Sequence, residues 1–175
     1  MKTRFEQLAA YNKWANERLY EAAFAVDDAD YRRDVGAFFK SLNGTLNHLL
    51  VADRIWMKRL TGEGEHPDKL NAIIHDDRRL LALARADEDD RIIRFVSSLD
   101  DGALAGTLKY ATTSGKPFEQ NRADVLSHFF NHQTHHRGQG HTILSICTGM
   151  EPPVLDLLAM QRGAAAPDLR ALVAR

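Results

Sequence analysis

Asn131-His132-Gln133-Thr134-His135-His136-Arg137-Gly138-Gln139 lies inside a stretch, 122–148, that otherwise reads as a buried helix. At about 100° per residue, Val125, Phe129, His132, His136, Ile143 and Cys147 fall within roughly 40° of one line along that stretch. Two imidazoles therefore stand where core residues belong. An unpaired buried polar group costs roughly 1 to 3 kcal/mol, so the two rings need partners, and one shared divalent cation would serve both. Asn121 can cap this helix and Gly149 can stop it.

Upstream, residues 3–24 place Phe5, Leu8, Ala9, Tyr11, Ala15 and Leu19 at helical spacing with no internal Gly or Pro, which predicts a first long helix. A second is predicted over 37–60, stopped by Gly62 and Gly64. Residues 63–76, with Gly64, Pro67 and Asn71, read as a crossover loop carrying one short helical turn near Leu70 to Ile74. A third long helix is predicted over 77–99, with Leu81, Ala84, Ile92, Phe95, Val96 and Leu99 inward and Asp87 to Asp90 on a solvated face; Asp101-Gly102 ends it.

Alternation over 107–112, a Ser114-Gly115 turn and a return over 116–120 predict a small β-hairpin before the last long helix. A short C-terminal helix is expected over 153–161. The fold class that follows is all-α, a four-helix bundle over residues 1–161. An Ala-rich tail follows over 162–175, where Pro167-Asp168 can start another turn. The core of such a bundle is a usual place to assemble a metal site from facing helices.

A chain of 175 residues is normally one domain. Its single cysteine, Cys147, cannot pair within the chain and reads as a small core residue on the histidine helix. Lys plus Arg number 23 against 24 Asp plus Glu, so no basic footprint invites a phosphate backbone and nucleic acid is not expected as a partner. No apolar run approaches the roughly 20 residues of a membrane span and no targeting leader is evident. A soluble, cytoplasmic protein without a membrane partner is expected.

Histidines at i and i+4 project in nearly the same direction, which suits two cis positions around a first-row metal. A third ligand must come from another element, and His48, inside the second helix, is the candidate. It lies about 120° from the Leu42, Leu49 and Leu60 centre, so the pattern alone leaves an inward ligand and a partly exposed flank residue equally open. His128 and His135 sit about 60° and 80° off the histidine line and flank it, with His135 the reserve ligand. His66, His75 and His141 fall outside the stripe and read as surface residues.

Three neutral imidazoles would leave a bound Zn²⁺ or Ni²⁺, the favoured cations, or Fe²⁺ or Mn²⁺, with an open position. Such a metal could lower the pKa of bound water toward about 7 or hold a thiol as thiolate. Two further residues are candidates for supporting the site. Gln139, one turn beyond His136, could hydrogen-bond metal-bound water. Asp53, on the apolar centre of the second helix, could either steady a ligand histidine or pair with an arginine. Arg137 points about 100° away and reads as a structural ion pair, while Tyr11, Trp14 and Trp56 read as core aromatics.

Three blocks, Tyr11-Asn12-Lys13-Trp14-Ala15-Asn16, His48 followed by Ala52-Asp53-Arg54-Ile55-Trp56, and the 131–139 segment, together resemble the DinB family of metal-dependent enzymes. That family is unrelated to the translesion polymerase that shares its name. The resemblance covers roughly residues 1–160, and the last block is its most specific part. It implies a four-helix bundle, a divalent metal held by His48, His132 and His136, and a homodimer. Members similar to it include transferases and isomerases that use a low-molecular-weight thiol, in which the metal is thought to activate the thiol.

The expected function is therefore a metal-dependent thiol transferase or hydrolase acting on a small electrophile. A non-catalytic metal-binding stress-response protein, its ion fastening the second helix to the fourth, is the alternative. A third reading has the histidines hydrogen-bonded to core carboxylates without a metal.

Overall fold

Ser41, Asp77 and Asn121 each turn a side-chain oxygen onto free backbone N–H groups of the next residues, and each thereby starts a long helix. The computed structural model describes residues 1–175. Its elements run α1 (Lys2–Phe24), α2 (Asp28–Arg32), α3 (Leu42–Thr61), α4 (Arg78–Ser98), α5 (Asp101–Ala105), β1 (Thr107–Ala111), β2 (Pro117–Asn121), α6 (Arg122–Thr148), α7 (Leu157–Gln161) and α8 (Leu169–Val173). Gly62 at φ 80° and Gly149 at φ 64° end α3 and α6 in the left-handed conformation that glycine adopts without strain.

Helix α1 packs on α4 and α6, and α3 packs on the same two, so the four long helices form a bundle in the cyclic order α1, α4, α3, α6. Strands β1 and β2 form the expected antiparallel hairpin, with Thr107 opposite Asn121 and Ala111 opposite Pro117. No helix is long and apolar enough to cross a membrane.

Several boundaries differ from the sequence reading. Helix α3 begins at Leu42 rather than near Ala37, because Ala37 to Lys40 closes a tight turn: Lys40 N–H donates to the Ala37 carbonyl at 2.8 Å and Lys40 sits at φ 70°. The 70–74 segment forms a turn and no helix, and the third long helix ends at Ser98, so that Asp101-Gly102, read as its end, instead opens α5. The tail contributes α8, whose Leu169 is buried in the core and whose Arg170 bridges Asp87 and Asp90.

The core has two apolar ends. One holds Leu19, Tyr20, Leu42, Leu46, Leu50, Leu81 and Leu144, the other Phe5, Met57, Ile92, Val96, Leu126 and Phe130. Between them lies a polar layer that crosses all four long helices: Asn12 and Asn16, Asp53, Arg85 and Asp89, Gln133 and Arg137, none more than 2 % exposed.

Arg85 stands between Asp53 at 2.7 Å and Asp89 at 3.1 Å. Asn12 and Asn16 donate to Asp89 and accept from Arg137, while Gln133 donates to Asp53 and to the Leu49 carbonyl. The expectation of a solvated face over Asp87 to Asp90 therefore fails at Glu88 and Asp89, which are buried. Arg137 makes no direct ion pair; its partners are the two asparagine amides and the Tyr11 ring, 5.1 Å from its guanidinium carbon.

This layer widens the buried face of α6 beyond the line read from apolar residues, of which Val125, Phe129 and Ile143 are buried as expected. Leu126, Gln133, Arg137, Gly140 and Leu144 are buried beside that line, which leaves His132 and His136 half-buried at the edge of the face, toward α3. Gly140 lies close against Leu19 there, since a Cβ would meet the end of the Leu19 side chain at 3.3 Å and move it by a few tenths of an ångström.

Candidate metal centre

His48 reaches the seam between α3 and α6 from α3, and the turn ahead of that helix roofs it. The Phe39 ring stacks on His48 at 3.7 Å and 16°, and meets His136 edge-on at 5.5 Å. Gly44 makes this approach feasible, because a Cβ at that position would collide with the Phe39 carbonyl oxygen. With Phe39 above it, His48 is only 3 % exposed although it stands on the flank of α3, so it is not the partly exposed residue that the periodicity also allowed.

The rings of His48, His132 and His136 converge. Centroids are 4.4 Å apart for His48 and His136, 4.3 Å for His132 and His136, and 5.5 Å for His48 and His132. One ring nitrogen from each lies within 4.8 Å of the others. His128 and His135 are exposed and flank the cluster, His128 beside His132 and His135 beside His136.

Hydrogen bonds on the far side of two rings fix which nitrogen is free. His48 Nδ1 lies 2.9 Å from the Leu70 carbonyl oxygen, which can only accept, so Nδ1 carries the proton and Nε2 the lone pair. His136 Nδ1 likewise donates to Gln139 Oε1 at 2.8 Å. His48 Nε2 is buried without any hydrogen-bond partner. A lone pair buried beside two other imidazoles is a metal ligand's environment, and the donor set fits a first-row cation with bonds of about 2.0–2.1 Å.

Electrostatics point the same way. Burial lowers the pKa of His48 to about 4, against the Leu70 bond, and lowers that of His132 to about 3 with help from the neighbouring rings. Burial also lowers His136. All three are neutral near pH 7, the form that donates to a metal.

The two supporting candidates part company here. Gln139 engages His136 directly and holds the ring's tautomer. Asp53 is not beside a ring. It faces the bundle interior, where Arg85 and Gln133 take its carboxylate, so the salt-bridge alternative applies. Phe39 and the Leu70 carbonyl were missed by the sequence reading, which had placed one in a helix and the other in a helical turn. A cleft of about 390 Å³ lined by Val35, Ala37, His135, Gln139, Ile143 and Ile146 opens beside Gln139, large enough for a small molecule.

The family model for the DinB family matches residues 1–169. The chain belongs to the DinB family. The match runs past the three blocks that carried the resemblance and takes in the start of α8. A curated relative, the protein DinB of Bacillus subtilis (strain 168), is 22 % identical over 143 residues, 75 % of this chain and 79 % of that one. Among solved structures, a DinB-like protein from Bacillus cereus ATCC 10987 superimposes with a TM-score of 0.60 at 19 % identity, covering 81 % of this chain and 91 % of the other. That likeness concerns the fold, and it agrees with an all-α bundle bearing a small hairpin.

Proposed function

We propose that this DinB-family chain is a metal-dependent enzyme. His48, His132 and His136 would hold a divalent cation, Zn²⁺ or Ni²⁺ by preference, and would leave part of its coordination open. The observation that carries the reading is the buried, unpartnered Nε2 of His48 beside two more neutral imidazoles. Such a cation would supply the Lewis acidity to hold a low-molecular-weight thiol as thiolate, or to acidify a water, for transfer to a small electrophile.

The chain's own residues do the rest. The Leu70 carbonyl and Gln139 fix the tautomers of His48 and His136, so that their Nε2 lone pairs face inward. Phe39 covers the His48 ring and keeps water from that face. The polar layer, through Gln133 and Arg137, sets the rotation of α6 that presents His132 and His136 together.

Cobalt substitution tests this. A visible spectrum that shifts when a small thiol is added, in wild-type protein and not in His132→Ala, is the expected result. A cobalt spectrum indifferent to every thiol tested would remove thiol activation from the proposal, and failure of cobalt to bind would remove the metal.

A further inference from the structure

The seam between α3 and α6 does not end at the histidines. Arg59 lies on the same face of α3 as His48, about three turns and about 16 Å further along the axis. Side chains on a helix lean back toward its N-terminus, and the Arg59 guanidinium carbon accordingly sits 4.6 Å from the Trp56 ring and 5.4 Å from the Tyr110 ring. Trp56 in turn meets His128 at 5.1 Å, and His128 meets His132 at 5.9 Å. A continuous shelf of rings thus runs from the candidate metal ligand His132 to Arg59.

Arg59 is half-buried, and stacking engages only its flat face. None of its N–H groups is hydrogen-bonded within the chain, and burial lowers its pKa. On the α6 wall Asp124 also makes no ion pair. With Trp56, Tyr110, Gln120, Val125 and His128 it lines a cleft of about 270 Å³ at this end of the shelf. The dipole of α6 accounts for an acid in its first turn, and stacking accounts for where the guanidinium rests. Neither gives the five donors of Arg59 an acceptor, although a planar guanidinium fork is well matched to a carboxylate.

We propose that this end of the seam binds the α-amino-acid end of an elongated small ligand, its carboxylate on Arg59 and its ammonium on Asp124, while the ligand's reactive end lies at the histidines. The shelf of rings supports the atoms between. A tripeptide-sized molecule spans about 10 to 11 Å, comparable with the run left once Arg59 leans back. The assignment of the reactive end rests on the metal-dependent reading above; the contacts at Arg59 and Asp124 do not.

Calorimetric titration with glutathione, a tripeptide thiol with a free α-amino-acid end, tests it against glutathione diethyl ester and N-acetylglutathione. Wild-type protein is expected to bind glutathione about tenfold more tightly than either derivative. Arg59→Gln is expected to lose that advantage over the ester, Arg59→Lys to keep part of it, and Asp124→Asn to lose the advantage over the N-acetyl form.

The same titrations on His132→Ala keep the two readings apart. A preference for the free carboxylate that persists there and depends on Arg59 upholds the subsite whether or not the cation binds. Equal affinity for glutathione and its ester, no binding of glutathione at millimolar concentration, or an Arg59→Gln variant that binds as wild type would each overturn the proposal. An Asp124→Asn variant that still prefers the free amine would overturn its ammonium half.

Discussion

Two pairs of polar residues with the same four-residue spacing lie side by side on α6, His132 with His136 and Gln133 with Arg137, and the chain treats them oppositely. Arg137 and the amide nitrogen of Gln133 enter the bundle and meet protein partners, Asn12, Asn16, Asp53 and the Leu49 carbonyl, although Gln133 Oε1 is buried without one. The histidines stand one residue away, at the edge of the buried face. There the hydrogen bonds from His48 and His136 occupy only the outer ring nitrogens. Polar groups that satisfy one another hold helices together. Polar groups oriented by the protein and left with free lone pairs are arranged for something the chain itself does not supply.

The comparison breaks most visibly at Arg85. Replacing it by Met leaves Asp53 and Asp89 buried without their shared cation, and removal of one partner from such a cluster costs about 3 to 5 kcal/mol. Burial already pushes both carboxyl groups upward in pKa and Arg85 opposes this, so the variant should also take up protons in that layer. Denaturant unfolding measures the loss. A change below about 1 kcal/mol would mean the layer is not what fastens the helices.

The histidine side should behave in the opposite way. His132→Ala in metal-free protein is expected to change stability by no more than about 1 kcal/mol. Wild-type protein should gain about 2.7 kcal/mol when a divalent cation is present at a hundred times its Kd, and the variant should gain nothing. Gln139→Ala, which frees His136 Nδ1 without removing a ligand, should weaken cation affinity about ten- to a hundredfold while metal-free stability stays as in wild type.

A pH dependence isolates the contribution of His48 alone. His48 has a folded pKa of about 4 against 6.5 for the free side chain, so above 6.5 the ring is neutral in both states and its contribution is fully present. As pH falls from 6.5 toward 4, the unfolded chain binds the proton first. Metal-free wild-type protein should therefore lose stability relative to His48→Phe across that window and level off below it. A difference between the two that stays constant from pH 7 to pH 4 would place His48 in water.

Much of this was legible in the sequence. Apolar spacing marks four long helices, Thr and Tyr alternation marks the hairpin, and Asn121 and Gly149 mark the ends of α6. The four-residue interval of His132 and His136 is readable because a helix repeats every 3.6 residues. Reading by hydrophobicity fails where polar residues face inward. Asn12, Asn16, Arg85, Asp89, Gln133 and Arg137 all count as outward in such a reading, yet all are buried.

Their four-residue pairing on α1, α4 and α6 is the signal that was available. Phe38 and Phe39 mislead in the other direction, since adjacent aromatics before an apolar run look like helix. Instead a tight turn exposes one ring to 86 % and lays the other on His48. The Leu70 carbonyl carries no side-chain signal at all.

The direct test of an open, histidine-held cation is elemental analysis of protein prepared without a histidine tag or added nickel, wild type beside His132→Ala. The account predicts about one divalent first-row cation per chain in the wild type and a loss of that cation in the variant. Wild-type protein free of metal, or a variant that retains as much as the wild type, would contradict it.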